Sequence, residues 1–278
     1  MTSSRDIVRV QDLRKSFFDE SRGEVKAVDG VTFSCHSGEV FGLLGANGAG
    51  KTTTLRVLST VLKPTGGSAS VMGHDVLAQP EAVRRSLGFY SATTALYPRL
   101  TGRETLEFFA RINRYPAEKV RGRVEALVNR FGIQEYADAR VEKLSTGMKQ
   151  KLSIARTIVH DPPVLVFDEP TVGLDVLNAL EIVRVIRELR AEGKTILYSS
   201  HIMSEVEKLC DRIGIIHRGR LLAMGTLSQL REATGQHYLE DVFVQYVTRT
   251  EGLEGAAIGP LGELEAPPTA GGRPEEAL

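Results

Sequence analysis

The chain has 278 residues, with 35 Lys and Arg balanced by 35 Asp and Glu, 42% hydrophobic residues and 25% charged residues. Such a composition excludes a wholly disordered chain, and the absent net field leaves nucleic-acid binding without an electrostatic drive, so no nucleic-acid partner is expected. Cys35 and Cys210 are far apart, which excludes a disulfide scaffold or a cysteine metal site and points to a reducing compartment.

In chain order, residues 7–44 read as short strands, the apolar run 40–44 suiting a buried parallel strand. A Gly-rich turn follows, then helical composition over 52–62, stopped by Lys63-Pro64, and a turn at 64–67. Thr101 and Glu104 make a capping box, ahead of Leu106, Phe109 and Ala110 on one helical face. Val120, Val124, Leu127, Val128 and Phe131 form a second helical stripe, closed by Gly132. Residues 164–167 read as a strand, and Leu177, Leu180, Val183, Ile186 and Leu189 mark a long helix closed by Gly193. A strand at 195–199 follows. This alternation predicts an α/β fold with a largely parallel sheet. Residues 251–278 carry six Gly, four Pro, six Glu and one Arg, which reads as a disordered acidic tail. No run approaches the roughly 20 apolar residues of a membrane helix, and the N-terminal segment lacks a signal peptide's apolar core. A soluble chain is expected, so work at a membrane would require another chain.

Gly45-Ala46-Asn47-Gly48-Ala49-Gly50-Lys51-Thr52 fits G-x-x-x-x-G-K-[ST], with an apolar strand before it and a helix after it. Its glycines let backbone amides wrap a triphosphate at a helix N-terminus. Lys51 would reach the β- and γ-phosphates, and Thr52 would ligate Mg²⁺. The run 164–167 ends in Asp168 and Glu169, placing two carboxylates at the sheet edge where such sheets bind ligands. Asp168 would hold Mg²⁺, and Glu169 would orient or deprotonate the attacking water.

With Leu144-Ser145-Thr146-Gly147-Met148-Lys149-Gln150, 23 residues before Asp168, the chain resembles the ATP-binding cassette (ABC) ATPases, whose signature is LSGGQ. The resemblance spans about residues 7–247. It implies a P-loop α/β domain over 1–250, with a mostly parallel core, an antiparallel β subdomain and an inserted helical subdomain near 89–160. It implies ATP and Mg²⁺ as ligands. Nucleotide contacts would come from the P-loop residues, Thr53, Asp175 in a loop like the family's D-loop, and Phe17 stacked on adenine, with Phe18 as the competing register. Ser145 and Gly147 would present a helix N-terminus to the γ-phosphate held by a second copy, in a head-to-tail dimer. His201 resembles the switch histidine. Two departures stand out: Thr146 and Met148 alter the signature, and Ala92 occupies the place of the metal-contacting Gln, leaving Thr93 or Thr94 to substitute through water.

The segments 96–104, 145–151 and 199–206 resemble bacterial exporter ATPases, most closely the sodium-efflux type. That implies an ATPase at the cytoplasmic face of the cell membrane, held there by a separate permease. The rivals are a soluble ABC ATPase of translation or DNA repair and a regulatory nucleotide-binding module. A single cassette without CxxC or an inserted heptad run disfavours the first, and intact Glu169 and His201 disfavour the second.

Overall fold

The computed structural model describes residues 6–21, 23–92 and 94–252. Strands β1 (Asp6–Asp19) and β2 (Gly23–His36) pair antiparallel, burying Val8, Val10, Leu13, Val28, Val31, Phe33 and Cys35. These are two long strands, not the several short ones expected. Register shifts, one between Val10 and Leu13 where Asp12 takes φ 44°, break the two-residue alternation that marks a continuous strand in sequence. With β4 (Gly66–Val71) and β5 (His74–Asp75) they form an antiparallel sheet in the order β2-β1-β4-β5.

The second sheet has six strands, ordered β10-β9-β3-β8-β7-β6. They are β3 (Val40–Leu44), β6 (Leu87–Ser91), β7 (Val164–Asp168), β8 (Thr195–Ser200), β9 (Arg212–His217) and β10 (Arg220–Gly225). All neighbours run parallel except β9 and β10. β3, β7 and β8 are buried at every position, the pattern of a sheet covered on both faces. Phe41, Leu43, Val164, Val166 and Leu197 pack toward the antiparallel sheet and α1 (Lys51–Leu58). Leu44, Leu165, Phe167, Ile196 and Tyr198 pack the other way, in a core shared with helical-insertion residues and with α6 (Val176–Ala191) and α7 (Met203–Leu209). Helix α1 ends four residues before the expected 62, because Thr60 takes a left-handed φ of 59°.

Helix α2 (Pro80–Ser86) leads into β6, and between the neighbouring strands β6 and β7 lie α3 (Gly102–Ile112), α4 (Val120–Arg130) and α5 (Thr146–Thr157). Residues 89–91 belong to β6, so the insertion starts after the expected 89. Both bonds of the capping box form: Glu104 N donates to Thr101 Oγ1 at 3.2 Å, and Thr101 N donates to Glu104 Oε2 at 2.8 Å. The α4 stripe is buried as expected.

In α6, Val183, Ile186 and Leu189 enter the core, while Leu177 and Leu180 are 78% and 54% exposed. The helical period is right, but the first two turns run past the edge of the core. After α8 (Leu227–Thr234), helix α9 (Leu239–Glu251) ends at Gly252, so Glu251 is not part of a tail. Its carboxylate lies 3.0 Å from His217 Nε2 and 2.7 Å from Arg218. The rest of the expected tail lies outside the described residues.

Candidate functional site

The P-loop joins β3 to α1, at the same end of the sheet where β7 and β8 terminate. Two of its glycines are fixed by crowding. A Cβ on Gly45 would lie 2.4 Å from the Ile216 carbonyl oxygen. On Gly50, where φ is 105°, it would lie 2.4 Å from the Ala27 carbonyl oxygen. Gly219, in the β9–β10 turn, donates its N–H to Ala49 O at 2.8 Å and braces the loop from outside. A cleft of about 210 Å³ opens over the loop, lined by Ala27, Asn47, Gly48, Ala49, Gly50, Lys51, Thr52, Thr53 and Glu169. The first amides of α1 face an anion-binding end of the helix dipole there.

Lys51 is 4% exposed. Its ammonium donates to Gly45 O at 2.6 Å and Ala46 O at 3.1 Å, and it lies 3.1 Å from Glu169 Oε1. That carboxylate oxygen is also 3.3 Å from His201 Nδ1. Thr52 Oγ1 donates to Asp168 Oδ1 at 3.0 Å. The hydroxyl and carboxylate of that pair are hard oxygen donors of the kind Mg²⁺ takes alongside phosphate and water oxygens.

Strand register explains how these groups meet. Asp168 is directly opposite Ser199 across β7 and β8. Ser199 Oγ donates to Asp168 Oδ1 at 2.7 Å, and Glu169 N donates to both Ser199 O and Ser199 Oγ at 3.2 Å. Glu169 thereby sits at φ 50°, a left-handed conformation uncommon for a residue with a Cβ. The motif-bearing Lys51, Thr52, Asp168, Glu169 and His201 thus converge. Ser199 and Gly219, which hold them in place, were not legible as site residues.

Ser145, Gly147 and Asp175 are not among the described residues lining that cleft. Ser145 caps α5, accepting from Met148 N at 3.3 Å. Asp175 caps α6, accepting from Asn178 N at 3.0 Å, and the Asn178 bonds hold its carboxyl below the usual range. A Cβ on Gly147 would be 3.5 Å from Asn178 Nδ2, so the two helix N-termini stand side by side. Gln150, on α5, donates its side-chain amide to the Pro170 carbonyl. Phe17 is 42% exposed with Lys15 Nζ 5.0 Å from its ring centroid, and Phe18 is 83% exposed, so neither is core. Ala92 is exposed just beyond β6 and borders a cavity of about 410 Å³ with Thr94, Thr146, Lys149 and Gln150. Thr93 lies outside the described residues.

The family model for the ABC transporter matches residues 28–172, from β2 through the P-loop, the signature and the carboxylate pair. The chain belongs to the ABC transporter family. The ABC transporter ATP-binding protein NatA of Bacillus subtilis (strain 168) is 40% identical over 244 residues, covering 87% of this chain and 99% of that protein. The daunorubicin resistance ATP-binding protein DrrA3 of Streptomyces coeruleorubidus is 38% identical, covering 86% and 74%. A solved structure of the ATP-binding subunit of an ABC transporter superposes with a TM-score of 0.79 at 31% identity, covering 87% and 99%. This ABC chain is therefore an ATP-binding subunit and an ATPase, built on the mixed-sheet P-loop fold its sequence implied. No helix among its described residues is long and apolar enough to cross a membrane.

Proposed function

We propose that this ABC ATPase is the cytoplasmic, peripheral energising subunit of an exporter, working as a head-to-tail dimer on a separate membrane permease. The observation that carries this reading is the division of its motifs. Lys51, Thr52 and Glu169 line one cleft, with Asp168 bonded to Thr52 and His201 beside Glu169, while Ser145 and Asp175 cap the neighbouring helices α5 and α6 outside that lining and Gly147 lies in the first turn of α5. One chain holds half of each composite site.

In this reading Lys51 leaves the Gly45 and Ala46 carbonyls for the β- and γ-phosphates of ATP, and the P-loop amides with Thr53 hold the rest of the triphosphate. Thr52 and Asp168 would hold Mg²⁺, which when bound neutralises phosphate charge. Glu169 takes the proton of the attacking water, and His201 donates to the γ-phosphate. Ser145 and Gly147 of the second copy close over the same phosphate, with Asp175 at the seam. Phe17, exposed and flat against a cation, is available to stack on adenine. Val172, Val176, Leu177 and Leu180 are exposed beside Asp175, and their apolar surface supports a protein partner at this face.

The permease would dock on another face. A cleft of about 510 Å³ lies between β6 and the helical insertion, lined by residues including Phe89, Tyr97, Phe109 and Arg156. The Arg156 guanidinium stands 5.0 Å from the Phe109 ring centroid, and Tyr97 is 52% exposed at the rim. The segment bearing Ala92 leads into both cavities, which favours it as the coupling element. Sodium is the proposed cargo, resting on the resemblance of the signature and flanking segments to the sodium-efflux type; the DrrA3 relative favours a drug as the second reading.

The dimer is tested by mixing Lys51→Ala with Ser145→Arg chains, each inactive alone. Heterodimers contain one intact composite site, so activity should return in the mixture; heterodimers without recovery would overturn the head-to-tail arrangement. Cargo is tested by reconstituting the pair with its permease in vesicles. ATPase that responds to sodium, with sodium movement, supports the first reading; response to an anthracycline instead supports the second.

A further inference from the structure

A carboxylate to which sequence reasoning assigned no site role stands next to the site. Glu205, on α7, accepts at Oε2 from Tyr198 Oη at 2.6 Å, from Thr171 Oγ1 at 2.9 Å and from Ser200 Oγ at 3.3 Å. The three donors are 0%, 4% and 2% exposed. A carboxylate oxygen has the lone pairs to gather several hydroxyl donors at one point. Burial, then the Glu205 charge, pushes the Tyr198 phenol well above its usual range, so it stays a donor.

The positions of the donors in the chain give the cluster its meaning. Thr171 lies two residues beyond Glu169. Ser200 immediately precedes His201 and accepts from Ile202 N at 3.0 Å. Tyr198 precedes Ser199, which holds both Asp168 and the Glu169 amide. The intervening Pro170 carbonyl accepts from Gln150 of the helix that Ser145 caps. The loop 169–172 therefore has one anchor on the strand, one on the signature helix and one on Glu205. Without an anchor, the left-handed backbone at Glu169 can relax toward a more populated conformation and carry its carboxylate away from His201.

We propose that Glu205 is a positioning residue for ATP hydrolysis: through Thr171 and Ser200 it fixes Glu169 and His201 in one frame. The inference rests on the roles given above to those two residues. Among the described residues Glu205 makes no hydrogen bond to the P-loop, so its loss should act on turnover and leave nucleotide capture in place. A displacement of about 1 Å in a reacting group costs on the order of 10²-fold in rate.

The test measures kcat and KM for ATP in the full chain, per folded nucleotide-binding site, with melting temperatures alongside. Glu205→Ala should lower kcat at least tenfold and change KM less than threefold. Glu205→Gln keeps an acceptor oxygen and should recover most of that loss. Thr171→Val, close to isosteric, should lower kcat in the same sense, and the double variant Glu205→Ala/Thr171→Val should be no slower than Glu205→Ala alone. If Glu205→Ala does not fold, Thr171→Val decides. Folded variants with wild-type kcat per site, or losses that add in the double variant, would overturn the proposal and leave Glu205 as a fold anchor. Glu169→Gln serves as the control. If it hydrolyses ATP at the wild-type rate, the base assignment falls and takes this inference with it. If it is inactive while Thr171→Val is normal, only the role of Glu205 falls.

Discussion

The Lys51 ammonium and the Glu169 carboxylate lie 3.1 Å apart at the mouth of the P-loop, so the buried cation is already neutralised by the group assigned to activate water. In the function proposed here, triphosphate charge would compete for Lys51, and its arrival would release Glu169 toward the attacking water. On that reading the pair would couple occupancy of the loop to availability of the base.

Glu169→Gln should lose at least about 10²-fold in turnover, the lower end for a general base. ATP affinity should hold or rise, because Lys51 no longer faces a negative partner. ATPase assays with nucleotide titration check both, and size-exclusion chromatography with ATP should show the dimer accumulating. Weakened ATP binding would contradict this account of the pair.

Leu177→Gln and Leu180→Gln should separate association from stability. Both side chains are mostly exposed on a well-formed helix, so unfolding free energy should stay within about 0.5 kcal/mol. If α6 lines the dimer face, the ATP-dependent dimer of Glu169→Gln should weaken when either change is added. An unaltered dimer would place the interface elsewhere.

His160, in the cleft beside β6, gives stability a pH dependence. Burial pushes its pKa from 6.5 down to about 4, so between those values the unfolded chain binds the extra proton. Stability therefore rises with pH across that window and falls on acidification. Between pH 7 and pH 5 this group should account for about 1 to 2 kcal/mol of the loss, allowing for its partial exposure. Urea melts of wild type and His160→Gln at the two pH values measure it; equal losses in both would remove His160 as the cause.

The sequence was most legible where one residue type has one use. The P-loop glycines, the carboxylates ending an apolar strand and the two capping serine and threonine positions all appear where their chemistry placed them. Legibility failed where geometry depends on partners distant in the chain. Ser199 is an ordinary strand serine until register sets it opposite Asp168. Glu205 looks like a surface helix acid until Thr171, Tyr198 and Ser200 converge on it. The two long N-terminal strands were hidden because their bulges erase the alternation a strand is read from. In α6 the apolar period was real, but its first members face away from the core.

The order of the central sheet also sets when, during synthesis, the phosphate loop becomes complete. β3, made early, is flanked by β8 and β9, both made after residue 194. The loop it feeds is braced by Gly219, 170 positions beyond Ala49. A nascent chain that has emerged only through the helical insertion has neither neighbour for β3 nor the brace for its turn. Such long-range closure slows folding, because the entropy of joining distant segments must be met before their contacts form. Nucleotide capture is thus a property of the finished cassette, and ATP present during refolding should favour the last steps of assembly rather than the first.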